Sequence, residues 1–224
     1  MPPAAGEPER ADLEAEARAE FLLRLRARGL RDLAVLRAIE TVPREMFVPH
    51  RYVDLANRDL ALPIPCGQTM PEPFIAAQIA EAARLTPSCR VLEIGTGSGY
   101  TTAILSRLAG SVVSIERFQT LAIAARERLQ GLGFANVSVV WGDGLAVTAE
   151  IGLFDRIIVH ARLDDIPPAL MAAVAVDGAL LVAQARDGAT VFNRLTRMLN
   201  GAWQAETLFA CRLQPLISGL SRSL

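Results

Sequence analysis

Apolar residues recur at every fourth position near the start of the chain. Leu13, Ala17, Phe21 and Leu25 form one stripe of an Ala/Glu/Leu/Arg-rich stretch that runs to Arg28. That spacing predicts an amphipathic helix with one buried face. Gly29 interrupts it, and a second helical pattern, Leu33, Leu36, Ala38 and Ile39, follows. This one stops at Pro43, because proline lacks an N–H and its ring clashes with the preceding turn. From Pro43 to Pro73 the periodicity fades and six prolines appear. A segment of that length without regular elements is uncommon in a compact domain unless it serves a function.

From residue 74 onward the pattern alternates regularly. Helical periodicity over Phe74–Arg84 gives way to a short apolar run at Arg90–Ile94, then helix at Tyr100–Ala109, strand at Val112–Glu116, helix at Thr120–Leu132 and strand at Val137–Val140. Further strands are expected at Asp155–His160 and Ala179–Ala183, with a short helix after Pro168 between them. Val/Ile-rich runs separated by helices predict a mostly parallel sheet with right-handed crossovers and helices on both faces, an α/β, Rossmann-like fold. Two last runs, Thr190–Leu199 and Glu206–Leu213, flank Asn200-Gly201, a strong hairpin signal, so a C-terminal antiparallel hairpin should end the sheet. The organisation expected is a disordered tail over residues 1–8, a helical cap and lid over 9–73, and the core over 74–224.

Composition narrows the chemistry. The chain has 224 residues, 51% of them hydrophobic, enough to bury a sizeable core. Its 23 basic and 24 acidic residues leave a formal charge of -1, so it gathers neither nucleic acid nor anionic membrane through its overall field. All 23 basic residues are arginine, which rules out a Schiff-base lysine and a lysine-bearing phosphate loop. Cys66, Cys89 and Cys211 fit neither a CxxC pair nor a disulfide framework, and His50 and His160 are the only histidines, so no metal centre is expected. No apolar leader and no uninterrupted apolar stretch of about 18 residues is visible. A cytoplasmic protein, favoured as a monomer, is the expectation.

The chemistry gathers after the first core strand. Val91-Leu92-Glu93-Ile94-Gly95-Thr96-Gly97-Ser98-Gly99-Tyr100 joins a strand to a helix, where glycines permit a sharp turn and let a ligand approach the amides of a helix start. Glu116 closes the next strand about 20 residues further on, the place from which a carboxylate accepts the hydroxyls of a ribose. Tyr100 stands where a dinucleotide-binding loop needs a small residue, so NAD fits poorly. A GxGxG pattern with Glu93 two residues ahead instead resembles motif I of the S-adenosylmethionine-dependent methyltransferases. By that resemblance Glu93, Gly95, Thr96, Gly97 and Gly99 would shape the site for the methionine end, Glu116 and Arg117 would lie at the ribose, and Asp143 and Gly144 of Trp141-Gly142-Asp143-Gly144 at the adenine.

A narrower resemblance follows. Val42-Pro43-Arg44-Glu45-Met46-Phe47-Val48-Pro49, with Gly67-Gln68-Thr69 ahead of the glycine loop, resembles the protein-L-isoaspartate O-methyltransferase family from about residue 30 to residue 185. The resemblance implies a carboxyl methyl transfer from S-adenosyl-L-methionine to isoaspartyl-containing proteins or peptides. It also implies that Gln68 and Thr69 meet the methyl and the acceptor. The family typically has a serine two residues after this GQT; here Met70 is followed by Pro71 and Glu72. After the fourth core strand the chain reads Val159-His160-Ala161-Arg162. Arg162 is a candidate for binding the acceptor carboxylate bidentately, its alternative being an ion pair with Asp164 or Asp165. His160 is a candidate base, which would imply a different acceptor. A cofactor-binding but catalytically silent interaction module is the third alternative.

Overall fold

The computed structural model describes residues 7–147 and 149–222. Helix α1 (Glu7–Ala27) buries Phe21 and Leu25 of the expected stripe. Leu13 and Ala17 fall outside the described side chains, as the first six residues of the expected tail fall outside the described chain. Helix α2 (Leu33–Thr41) starts on Asp32, whose Oδ1 accepts the Ala34 and Val35 amides at 2.8 and 3.1 Å, satisfying two donors that a helix start leaves open. The proline-rich segment makes two 3-10 turns, Arg44–Phe47 and His50–Leu55, and a small hairpin of β1 (Leu62–Ile64) and β2 (Gln68–Met70).

The core then follows the expected alternation: α3 (Pro73–Ala83), β3 (Arg90–Ile94), α4 (Tyr100–Leu108), β4 (Ser111–Glu116), α5 (Gln119–Gly131), β5 (Val137–Trp141), β6 (Phe154–Arg162), α6 (Pro168–Ala172), β7 (Val174–Arg186), β8 (Ala189–Arg197) and β9 (Trp203–Ala210). The seven strands lie in the order β5-β4-β3-β6-β7-β8-β9. Pairing is parallel from β5 to β7, and β8 and β9 are each antiparallel to the strand before. The end of the sheet is a meander, since Asp187 (φ 50°) and Gly188 (φ 78°) turn β7 directly into β8. Both positive φ values match the hairpin turn that an Asp-Gly pair favours. Strand β7 also runs well beyond the expected 179–183, because Asp177 and Gly178 interrupt its apolar pattern without ending its pairing.

Alternation along the strands sorts the core into two layers. Val91, Val112, Val139, Ile158 and Leu181 face the side covered by α1 to α5. Leu92, Ile94, Ile115, Ile157, Val159 and Leu180 face the other, where the short α6 supplies Leu170 and the 145–153 loop supplies Val147. The order reverses at β3, which pairs with β4 on one side and β6 on the other. A crevice opens at the carboxyl ends of strands at such a point, the usual ligand position in an open α/β sheet. Among the described residues no helix is long and apolar enough to cross a membrane.

Candidate active site

Glu93, Ser114 and His160 belong to the same face of neighbouring strands. Glu93 is paired in register with Ser114 and Ile158, and His160 lies two residues beyond Ile158. The fully buried Glu93 carboxylate therefore collects three partners: Thr102 Oγ1 of α4 at 2.5 Å, Ser114 Oγ at 2.6 Å and His160 Nε2 at 2.9 Å. These contacts satisfy a charge whose burial would otherwise be costly. Glu93 lines neither cavity described below; it anchors His160 and the start of α4.

Gly95, Gly97 and Gly99 have φ values of 96°, 56° and 88°, a region that side chains with a Cβ seldom adopt. The loop they form is tied from two sides. Glu116, at the end of β4, accepts the Gly97 amide at 2.9 Å and the Phe118 amide at 3.0 Å, while Arg128 of α5 donates to the Ser98 carbonyl at 2.7 Å. Burial raises the Glu116 carboxyl above its ordinary pKa; backbone amides pull it back and the Glu93 charge adds to the rise. Thr96 Oγ1 lies 2.6 Å from Ser114 Oγ.

A cavity of about 860 Å³ runs from this loop to the lid. Its walls include Gly95, Thr96, Gly97, Glu116 and His160 from the core, and Gln68, Thr69, Pro71 and Glu72 from the lid. Gln68 Nε2 donates to the Cys66 carbonyl at 3.1 Å, and Thr69 is exposed on β2. A smaller cavity of about 100 Å³ lies beside it, between Glu116, Arg117 and Gly144 of the core and Gln214 to Ile217. A methyl group on Gly144 would run into Ile94, so the close approach requires glycine. Asp143 lines neither cavity; its Oδ1 accepts the Leu145 amide at 2.9 Å and its Oδ2 the Gly219 amide at 2.6 Å. Arg162 also lines neither, and its Nε sits 3.2 Å from Asp164 Oδ1. That is the ion-pair alternative raised from the sequence.

Two features have no counterpart in the sequence reading. Arg44, only 2% exposed, donates to the carbonyls of Ala56 (2.6 Å), Leu60 (3.2 Å) and Pro71 (3.0 Å), with Arg58 O at 3.4 Å. It holds the lid together from inside. Burial lowers its pKa to about 10, with neighbouring Tyr100 acting the other way. Tyr100 is buried edge-on to Phe47, ring centroids 5.7 Å apart, and its hydroxyl has no hydrogen-bond partner among the described residues. The second feature is a strap after β9. Arg162 N–H donates to Gln214 O and Leu216 N–H to Arg162 O, then Arg117 Nε donates to Gly219 O and Ser221 N–H to Arg117 O. Residues 214–221 thus cross the carboxyl ends of β6 and β4 and cover the smaller cavity. Irregular segments carry no periodicity, so nothing in the pattern of residues marks this one.

The Rossmann-like core, the glycine loop opening α4 and the acid at the end of β4 define the class, a methyltransferase using S-adenosyl-L-methionine. The chain belongs to the protein-L-isoaspartate (D-aspartate) O-methyltransferase family, whose model matches residues 16–221. It is 48% identical over 204 residues to the protein-L-isoaspartate O-methyltransferase of Rhodopseudomonas palustris (strain BisA53), covering 91% of this chain and 95% of that one. It is equally 48% identical, over 206 residues, to the Bradyrhizobium sp. (strain ORS 278) protein of the same name, with 91% and 95% coverage. In fold it is similar to a Plasmodium falciparum structure described as a protein-L-isoaspartate O-methyltransferase in complex with S-adenosyl-L-homocysteine, with a TM-score of 0.79, 23% identity and coverage of 88% and 97%. The family match reaches beyond residues 30–185 at both ends and takes in the strap.

Proposed function

We propose that this enzyme methylates the free α-carboxylate of L-isoaspartyl residues, with the glycine loop and Glu116 as the cofactor cradle and the lid-side cavity as the acceptor site. The observation that carries the reading is that one cavity joins Gly95, Gly97 and Glu116 to Gln68 and Thr69. The cradle fits a nucleoside bearing a methionine chain: the positive end of the α4 dipole favours its carboxylate, and Glu116 retains acceptor capacity for ribose hydroxyls. Gly144 admits the adenine end, with Asp143 beside it, two of whose acceptor positions the backbone uses. Bound there, S-adenosyl-L-methionine supplies an electrophilic methyl group on a sulfonium.

An acceptor carboxylate, with a pKa of about 4, is ionised at neutral pH and needs no general base. Held in line with that methyl group and stripped of water, such a carboxylate oxygen would need no further activation from the protein. The residues of this chain contribute alignment and exclusion of water: Gln68 and Thr69 from the lid, the glycine loop from below. Glu93 acts by holding His160 and α4, and Arg117 by holding the strap.

His160 supports a second reading. Its Nε2 is committed to Glu93 and the ring lines both cavities, an arrangement that would leave Nδ1 to take a proton from a hydroxyl or amine acceptor. A cytoplasmic monomer without nucleic-acid or membrane partners is part of the main reading, supported by the near-neutral charge and by three widely spaced cysteines that match no disulfide framework. The test is transfer of labelled methyl groups to an isoaspartyl peptide and its normal-aspartyl twin. Base-labile label on the isoaspartyl peptide alone, with a rate flat from about pH 6 to 8, is the expected result. A rate rising through about pH 6.5 on another acceptor would favour His160 as base; cofactor binding with neither peptide labelled would sink the isoaspartyl assignment.

A further inference from the structure

One cation in the wall of the large cavity has no ion-pair partner among the described residues. The charged residues of that wall are Glu72, Glu116 and Arg212, with His160 beside Gly95. Glu116 is engaged by two backbone amides. Glu72 caps α3 through its backbone only, without a side-chain hydrogen bond. Arg212 makes no hydrogen bond or ion pair among the described residues. Three arginines bonded to residues of the wall do not line the cavity and are otherwise occupied: Arg44 on lid carbonyls, Arg128 on Ser98 and Arg162 beside Asp164.

The backbone around Arg212, in contrast, is held on both sides. Cys211 N–H donates to Thr190 O at 2.9 Å and Arg162 N–H to Gln214 O at 2.8 Å, while Ala210 pairs with Val191. A guanidinium on a fixed stem, exposed, without a partner among the described residues and in the same cavity wall as Pro71 and Glu72, is preorganised to meet a carboxylate with a planar fork of donors. At position 71 the lid offers no donor, because proline has neither hydroxyl nor amide N–H.

We infer that Arg212 is the specificity-determining residue of the acceptor site, pairing with the carboxylate oxygen that does not take the methyl and so selecting an ionised acceptor. This deepens the isoaspartyl reading and rests on it. Arg212 then discriminates a free α-carboxylate from the same peptide carrying a neutral α-carboxamide, and Glu72 opposes any second negative charge on the peptide side of the site.

The experiment measures binding of an isoaspartyl peptide and its α-carboxamide twin by calorimetry, with S-adenosyl-L-homocysteine present, together with methylation kinetics. The proteins are wild type, Arg212→Gln and Arg212→Lys. The expected result for Arg212→Gln is a KM for the isoaspartyl peptide about ten- to hundredfold higher, the range for losing a hydrogen bond to a charged group. Its preference for carboxylate over carboxamide should vanish, its cofactor affinity should be unchanged, and Arg212→Lys should recover part of the loss. An Arg212→Gln variant that keeps the wild-type KM and preference overturns the assignment while leaving the isoaspartyl reading intact. A wild type that neither binds nor methylates the isoaspartyl peptide overturns both.

Discussion

Glu116 accepts two amides of its own chain and faces the cavity with what capacity remains, so its protonation couples the fold to the ligand. Its pKa in the folded protein is raised by burial, which gives two effects of opposite sign. An acid raised on folding contributes stability that is full below its unfolded pKa and is lost as pH rises through the folded one. Wild type should therefore gain stability relative to Glu116→Gln as pH falls from neutrality, read by thermal melts across pH. Cofactor affinity should move the other way, because ribose hydroxyls donate to the ionised form: calorimetry should show wild-type affinity falling as pH approaches the raised value and the variant nearly flat. At neutral pH Glu116→Gln should weaken cofactor binding about ten- to hundredfold, as expected for a hydrogen bond to a charged group. The place of Glu116 at the end of β4 and in the cavity wall was legible because an acid at the end of the second core strand has a geometric meaning. Glu93 was legible only as part of a motif; that its carboxylate turns inward to Thr102, Ser114 and His160 depends on which face of the sheet its neighbours share.

Among the elements, the lid depends most on one residue. Its two 3-10 turns and short hairpin make few regular hydrogen bonds, and Arg44 substitutes for a ladder by gathering carbonyls from residues 56, 58, 60 and 71. Arg44→Met fills much of the same volume but leaves those carbonyls without a donor. It should cost roughly 3 kcal/mol, or about 6–12 °C in Tm for a chain of this size. Limited proteolysis should then show faster cleavage between residues 50 and 70. That the segment is irregular could be read from its six prolines. That an arginine organises it could not, because the four carbonyls lie 12 to 27 residues away in sequence. The meander at the end of the sheet is an intermediate case: Asn200-Gly201 marks one turn, and Asp187-Gly188 carries an equally good signal for the other.

At the scale of the whole molecule, one sheet sandwiched between two apolar layers should unfold as a unit. Phe154 is fully buried in the layer beneath α6, with its amide bonded to Ala173 O and the Arg90 guanidinium 4.2 Å from its ring centroid. Phe154→Ala should cost about 3–5 kcal/mol, lowering Tm by about 6–20 °C in a single calorimetric transition. The alternation of short apolar runs with helical periods was enough to set the parallel core, since burial on two faces demands Val/Ile-rich strands and crossovers demand helices. Glycines after a strand, with an acid ending the next one, were enough to predict a crevice at the switch point, where the large cavity opens. What only the tertiary structure decided is where distant, irregular segments come to lie: the lid around Arg44, the strap over Gly144, and Arg212 rather than Arg162 in the wall of the large cavity. Periodic elements announce themselves because each residue repeats the environment of one two or four positions away. A side chain in an irregular segment takes its environment from partners the chain brings together only on folding.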